Sequence, residues 1–237
     1  MPDTLLLNKL RVLLVDDDSF IRRVNRQIIT NLQIQQLFQA EDGLNAMPIL
    51  KNNEVDILIT DIQMPKMNGI ELIKQIRTGN AMCRRHLKVI VVTNFSNTEV
   101  LNSCIQLNVN GFLVKPITPA GMEKKIKLAM QEQTSLASVE EYLKVNTDLK
   151  SLEQVGTEKS SKVNVSISKR HKDNTSKNEE GKLVSLINLK SGMQLLEDIY
   201  FTNGSKLVSS GMVLSENLIN RIKELREVTA NRSVRVN

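Results

Sequence analysis

Residues 57–76 read ILITDIQMPKMNGIELIKQI. A β-rich run, Ile57 to Thr60, stops on an acid, Asp61, and after Gly69 the apolar residues Leu72, Ile73 and Ile76 fall at helical spacing. A buried strand handing over to an amphipathic helix is the repeating unit of a wound α/β sheet. The unit recurs on both sides. Strands are predicted at Val12 to Val15, Gln36 to Gln39, Val89 to Val92 and Phe112 to Val114, while Ile21, Val24 and Ile28 repeat at helical spacing after Ser19. Thr118 is placed to cap a fifth helix whose first residue is Pro119, where a missing N–H costs nothing. Five strands and five helices in about 120 residues predict one doubly wound α/β domain with a five-stranded parallel sheet, over residues 1–132.

Composition sets the outer limits. With 41% hydrophobic and 24% charged residues over 237 positions, the chain can bury real cores and is neither wholly disordered nor fibrous. No run reaches the roughly 18 apolar residues of a membrane span. The N-terminus, MPDTLLLNKLRVLLVDDD, has too short an apolar stretch for a secretory signal, so a cytoplasmic location is expected. Cys83 and Cys104 stand in no CxxC or Cys/His spacing, which supports neither a disulfide framework nor zinc. The net charge of +6 is spread along the chain: residues 1–130 hold 16 basic against 12 acidic side chains, and residues 131–237 hold 16 against 14. Neither half is basic enough by itself to argue for nucleic-acid binding.

A doubly wound sheet binds its ligands at the carboxyl ends of its strands, and the acids fall there. Asp16 and Asp17 follow the first strand, Asp61 the third, Thr93 the fourth and Lys115 the fifth. Converging carboxylates repel one another unless a cation lies between them, and an oxygen-only cluster points to Mg²⁺. A hydroxyl and an ammonium beside such a cluster can hold the oxygens of a phosphoryl group.

The strings LLVDDDSFIRR (13–23), ILITDIQMPKMNGIEL (57–72), VIVVTNFSN (89–97) and GFLVKPIT (111–118), in that order, resemble the receiver domain of bacterial two-component response regulators. The resemblance covers residues 9 to about 132. It implies a flavodoxin-like fold in which Asp61 is the phosphoacceptor and Mg²⁺ is held by Asp16, Asp17, Asp61 and the backbone carbonyl of Gln63. It further implies that Thr93 and Lys115 bind phosphoryl oxygens, that Phe112 is the switch aromatic that packs inward with Thr93, and that the Lys115–Pro116 bond is cis. The implied partner is a sensor histidine kinase or a phosphotransfer protein. Other polar residues have plainer readings: Asp18 faces solvent before the first helix, Asp42 caps the second, Asp56 opens a strand, and His86 and His171 have no partners at ligand spacing. Two features depart from the family pattern. Asn94 and Phe95 are bulky where a small residue usually follows the threonine, and Pro48 lies inside the second helix, where it should kink or shorten it.

Beyond the receiver, Leu136, Val139, Leu143, Leu149 and Leu152 continue a roughly helical apolar spacing, so residues 133–155 are read as a helical extension able to pack on its own domain or to form a dimerising coil. Residues 156–182 carry three large apolar side chains, Val163, Val165 and Ile167, and read as a flexible linker. Residues 183–237 recover a pattern of strands at Val184 to Leu189, Gln194 to Phe201, Lys206 to Ser209 and Ser233 to Val236, a turn at Asn203-Gly204, and a helix capped by Ser215 with Leu218, Ile219, Ile222 and Leu225 on one face. This small β-rich α+β module resembles one found beside HD-GYP phosphodiesterase domains, on its two Gly-Met steps and on Glu197-Asp198-Ile199. HD-GYP and GGDEF catalytic motifs are absent, so the chain reads as a phosphoaccepting regulator and not an enzyme. Its output is expected through a protein partner of residues 183–237, with a second copy of the chain as another candidate for the contact. The alternative is a transcriptional regulator whose C-terminal half binds nucleic acid, which the nearly cancelling charges of Arg221, Lys223, Glu224, Arg226 and Glu227 do not favour.

Bulk beside the phosphoryl site should exclude the water that hydrolyses an aspartyl phosphate. Slow dephosphorylation is therefore predicted, with Asn94→Ala or Phe95→Glu shortening the half-life in a phosphate-loss time course.

Overall fold

The computed structural model describes residues 7–94, 97–134, 136–152, 181–202, 204 and 206–237. By contact the chain divides into two compact units, one built on residues up to 96 and 103–149, the other on residues 97–102 and 150–237.

The first unit carries a five-stranded parallel sheet. Its strands are β1 (Arg11–Val15), β2 (Gln36–Ala40), β3 (Ile57–Asp61), β4 (Lys88–Thr93) and β5 (Gly111–Val114), in the order β2-β1-β3-β4-β5. The helices between and after them are α1 (Ser19–Asn31), α2 (Gly43–Asn52), α3 (Gly69–Thr78), α4 (Thr98–Gln106) and α5 (Pro119–Gln131). Every residue of β3 is buried, as a strand covered by helices on both faces requires. One side of the sheet packs Val12, Leu14, Ile57, Ile59, Ile90 and Val92 against Ile28 and Ile29 of α1 and Met122 and Ile126 of α5. Thr118 caps α5 through Gly121 N–H, with Pro119 at its start. Pro48 is accommodated inside the ten-residue α2.

The helical spacing after α5 does not produce a long helix. The chain turns out of α5 at Glu132, and Asn110 Nδ2 donates to Glu132 Oε2 (3.1 Å) and to Thr134 Oγ1 (2.9 Å), where Lys88 Nζ also donates (2.9 Å). A five-residue helix follows, α6 (Val139–Leu143), closed by a capping box between Ser138 and Glu141. Its buried face is one position away from the expected one. Tyr142 is fully buried and Leu143 is 56% exposed, because the Tyr142 hydroxyl finds polar partners inside: it donates to Asn108 Oδ1 (2.7 Å) and accepts from Ala137 N–H (2.9 Å).

Beneath this segment Arg77 of α3 is fully buried, with no carboxylate partner among the described residues. Its guanidinium donates to the carbonyls of Leu107 (2.9 Å), Arg85 (2.5 Å), Leu87 (3.0 Å) and Asn108 (3.1 Å). Burial lowers its pKa to about 10, which still leaves it charged at neutral pH.

The second unit is α+β with two small antiparallel pairs. β6 (Lys182–Ser185) pairs with β9 (Ser233–Val236), and β7 (Ile199–Tyr200) pairs with β8 (Lys206–Val208). Ser215 caps α7 (Glu216–Glu224), whose Ile219 and Ile222 are buried with Leu195, Phe201 and Leu225. Two expected strands are shorter than the pattern suggests. The first ends at Ser185, where Leu186 to Asn188 form a 3-10 turn that buries Leu186 and exposes Ile187. The second is interrupted because Glu197 and Asp198 accept from Arg235 N–H (2.9 Å) and Ser210 N–H (2.6 Å) with their side chains in place of a backbone ladder. Gly204 has φ +85° as a tight turn needs, and its neighbour Asn203 lies outside the described residues, as does nearly all of the expected linker.

Replacing Arg77 by Met would leave four carbonyls without this donor around a buried side chain. The variant should lose about 3 kcal/mol of receiver stability or more, read from the urea midpoint of the receiver transition.

Candidate functional site

The register of the sheet assembles the site. Val15 lies opposite Thr60 and Asp61 opposite Val92, so the residues that end β1, β3 and β4 are neighbours at one edge, and the N–H of Lys115, just past β5, donates to the Thr93 carbonyl at 3.0 Å. One carboxylate oxygen each from Asp16, Asp17 and Asp61 falls within 4.8 Å of the others. Asp16 is buried, Asp17 exposed and Asp61 9% exposed.

Asp61 is held at both oxygens. Oδ1 accepts from Ile62 N–H at 2.7 Å and Oδ2 from the Lys115 ammonium at 2.8 Å. Burial pulls the Lys115 pKa down, but the hydrogen bond and charge of Asp61, with Asp16 and Asp17 behind it, outweigh burial and hold it above the ordinary lysine value. At Asp16, burial first and the charge of Asp61 second push the carboxyl up to about 6. Asp16 Oδ1 accepts from Asp18 N–H at 3.0 Å, while its buried Oδ2 has no hydrogen-bond partner among the described residues. A desolvated carboxylate with one idle oxygen, beside two more carboxylates, fits a small divalent cation of oxygen-preferring type such as Mg²⁺.

Thr93 and Phe112 are buried, Gln63 and Asn94 are exposed, and Phe95 lies outside the described residues. The Lys115–Pro116 bond is cis, as the resemblance implies. Asp18 has a more definite task than facing solvent, since its Oδ1 accepts from Phe20 N–H (2.8 Å) and Ile21 N–H (3.1 Å) and starts α1 beside the acid cluster. Asp42 caps α2 through Asn45 N–H at 2.8 Å. It also pairs with Lys66 at 2.8 Å, and Lys66 with its neighbouring hydrogen bonds outweighs the burial that opposes ionisation and keeps Asp42 below its ordinary pKa. Asp56 receives Arg11 through Nε (3.0 Å) and Nη2 (2.9 Å).

Sequence reasoning did not single out Lys66 or Asn68. The cue for Asn68 is its place directly before Gly69, where an N-cap belongs; it accepts from Glu71 N–H at 2.9 Å. For Lys66 no local cue exists, because its partner Asp42 is supplied by a different loop.

Residues 12–127 match the response regulator receiver domain. The chain is 38% identical over 122 residues to chemotaxis protein CheY-3 of Vibrio cholerae, covering 51% of this chain and 92% of that relative. To chemotaxis protein CheY of Pseudomonas aeruginosa it is 34% identical over 118 residues, covering 50% and 94%. Among solved structures, the N-terminal domain of an uncharacterized protein from Wolinella succinogenes is 32% identical, with a TM-score of 0.46, over 52% of this chain and 94% of that one.

The loop between β3 and α3 has no spare room at its end. A Cβ on Gly69 would sit 2.1 Å from the Asp61 carbonyl oxygen, so Gly69→Ala is expected to displace the loop and cost about 1–3 kcal/mol, seen as a lower unfolding midpoint.

Proposed function

This chain belongs to the response regulator receiver family through its N-terminal half, and from that premise we propose that Asp61 is its phosphoacceptor, with Asp16, Asp17 and the Gln63 carbonyl completing a Mg²⁺ site. The observation that carries the reading is the Lys115 ammonium 2.8 Å from Asp61 Oδ2, at the edge where Asp16 and Asp17 converge. An Asp61 oxygen forms the bond to phosphorus as the donor's own bond to phosphorus breaks, and the leaving group departs with that electron pair. Lys115 holds the carboxylate aligned before transfer and is placed to neutralise the phosphoryl oxygens during it. Thr93, at the end of β4, supplies a hydroxyl to the same oxygens, and Phe112 on the neighbouring strand answers its movement. When bound, Mg²⁺ supplies positive charge that offsets the repulsion between the carboxylates and the incoming phosphoryl group.

Receiver domains of this family take their phosphoryl group from histidine kinases or phosphotransfer proteins, and this chain is proposed to do the same. Among the described residues no helix is long and apolar enough to cross a membrane. The C-terminal unit is proposed to act by binding a protein partner. The nearly cancelling charges of Arg221, Lys223, Glu224, Arg226 and Glu227 support this reading over nucleic acid.

Asp61→Asn should abolish uptake of phosphate from a small phosphodonor, read as loss of the hydroxylamine-labile phosphoprotein; uptake at the wild-type rate would refute the assignment. Asp17→Ala should weaken Mg²⁺ binding at least tenfold by calorimetry and lower phosphorylation with it, since a site of so few carboxylates holds a reluctantly dehydrating ion poorly once a ligand is gone.

A further inference from the structure

Residues 136–147 return across α3 as a strap. Tyr142 anchors its middle, buried against Asn108, and Lys74 Nζ of α3 donates to the carbonyls of Leu143 (2.8 Å) and Val145 (2.9 Å) at the end of α6. At the far end Asn68 Nδ2 donates to the Thr147 carbonyl at 2.9 Å, while Asn68 Oδ1 caps α3. Thr147 is thus tied to the first residue before α3, three positions short of Lys150, where the second unit resumes in sequence.

A continuous series of contacts leads from Asp61 to that tie. Asp61 Oδ1 accepts from Ile62 N–H (2.7 Å), the Ile62 carbonyl accepts from Gly69 N–H (2.9 Å), and Gly69 is joined covalently to Asn68. The space between Gly69 and the Asp61 carbonyl is too small even for a methyl group, so the start of α3 cannot stay still if the backbone at Asp61 moves.

We propose that the strap is docked while Asp61 is a free carboxylate and is released when Asp61 is phosphorylated, and that this release carries the state of the site to the segment that follows. The proposal rests on the reading of Asp61 as the phosphoacceptor. In the acyl phosphate the carboxyl group no longer carries its own negative charge. The bond from Ile62 N–H therefore falls from charge-assisted to neutral, to about half its strength. The loop from Ile62 to Asn68, packed against Asp61 at Gly69, then shifts as a body, and the joint through which that shift reaches the strap is the neutral bond from Asn68 to Thr147.

Hydrogen exchange on the full-length protein, with Mg²⁺ and phosphoramidate as phosphodonor, reads this directly, with the intact mass of the same sample counting added phosphoryl groups. The amides of Ala137, Tyr142, Lys144 and Val145, which bond to the Tyr142 hydroxyl and to the carbonyls of Ser138, Glu141 and Tyr142, should exchange about fivefold faster after phosphorylation. Asn68→Ser keeps an oxygen for the α3 cap but cannot reach Thr147. Its strap should exchange at the fast rate without phosphodonor and gain nothing on phosphorylation. In a Tyr200→Phe background Tyr142 is the sole tyrosine of a chain without tryptophan, and its emission should become more accessible to acrylamide on phosphorylation. Phosphorylated protein whose strap exchanges at the unphosphorylated rate overturns the coupling alone. Protein that gains no phosphoryl group overturns the reading of Asp61 and the coupling with it. An Asn68→Ser strap that stays slow and still responds to phosphorylation overturns the route through Asn68.

Discussion

Three carboxylates held with oxygens within 4.8 Å of one another at the edge of an apolar sheet repel, and much of the first unit is arranged around that repulsion. The Lys115 ammonium offsets part of it at Asp61, and Asp18 N–H offsets part of it at Asp16, whose second oxygen remains buried without a partner among the described residues. Burial first, and the charge of Asp61 second, keep the Asp16 carboxyl raised to about 6. Such a site is preorganised to receive a cation and a group whose oxygens need donors, because the cost of bringing the charges together is met by folding and not at the moment of reaction.

Holding that arrangement requires the connecting loops to be stiff. The loop from Ile62 to Asn68 is pinned to the start of α2 by the Lys66–Asp42 ion pair and by Gly43 N–H donating to the Met67 carbonyl at 2.9 Å. Its other end is pressed against Asp61 at Gly69. Stiffness of this kind makes a local change of charge at Asp61 felt several residues away, since a close-packed segment shifts as a body.

The second unit solves a different problem, that of ordering a small chain segment with little core. Its two Ser-Gly-Met steps bond to each other reciprocally: Gly192 N–H donates to the Leu214 carbonyl (2.9 Å) and Gly211 N–H to the Leu195 carbonyl (2.7 Å), while Leu195 N–H donates to Met212 (2.9 Å) and Leu214 N–H to Met193 (2.8 Å). Both leucines are thereby turned into the core. The network of Asp198 with Lys206, Tyr200 and Ser210 closes the adjoining hairpin.

The sequence by itself determined the strands and helices of the receiver and the acids, threonine and lysine at its strand ends, because hydrophobic periodicity and caps such as Thr118 and Asp42 are local properties of the chain. Only the tertiary structure decided what residues 133–149 do. Their apolar spacing reads as a continued helix, yet a buried hydroxyl outweighs a leucine face once Asn108 is there to accept from Tyr142. Likewise Arg77 looks like an ordinary surface arginine until four carbonyls from two loops surround it, and Lys66 has no assignable partner until α2 brings Asp42 to it. Polar partners distant in sequence leave no periodic trace, so they become visible when the sheet has set the loops side by side.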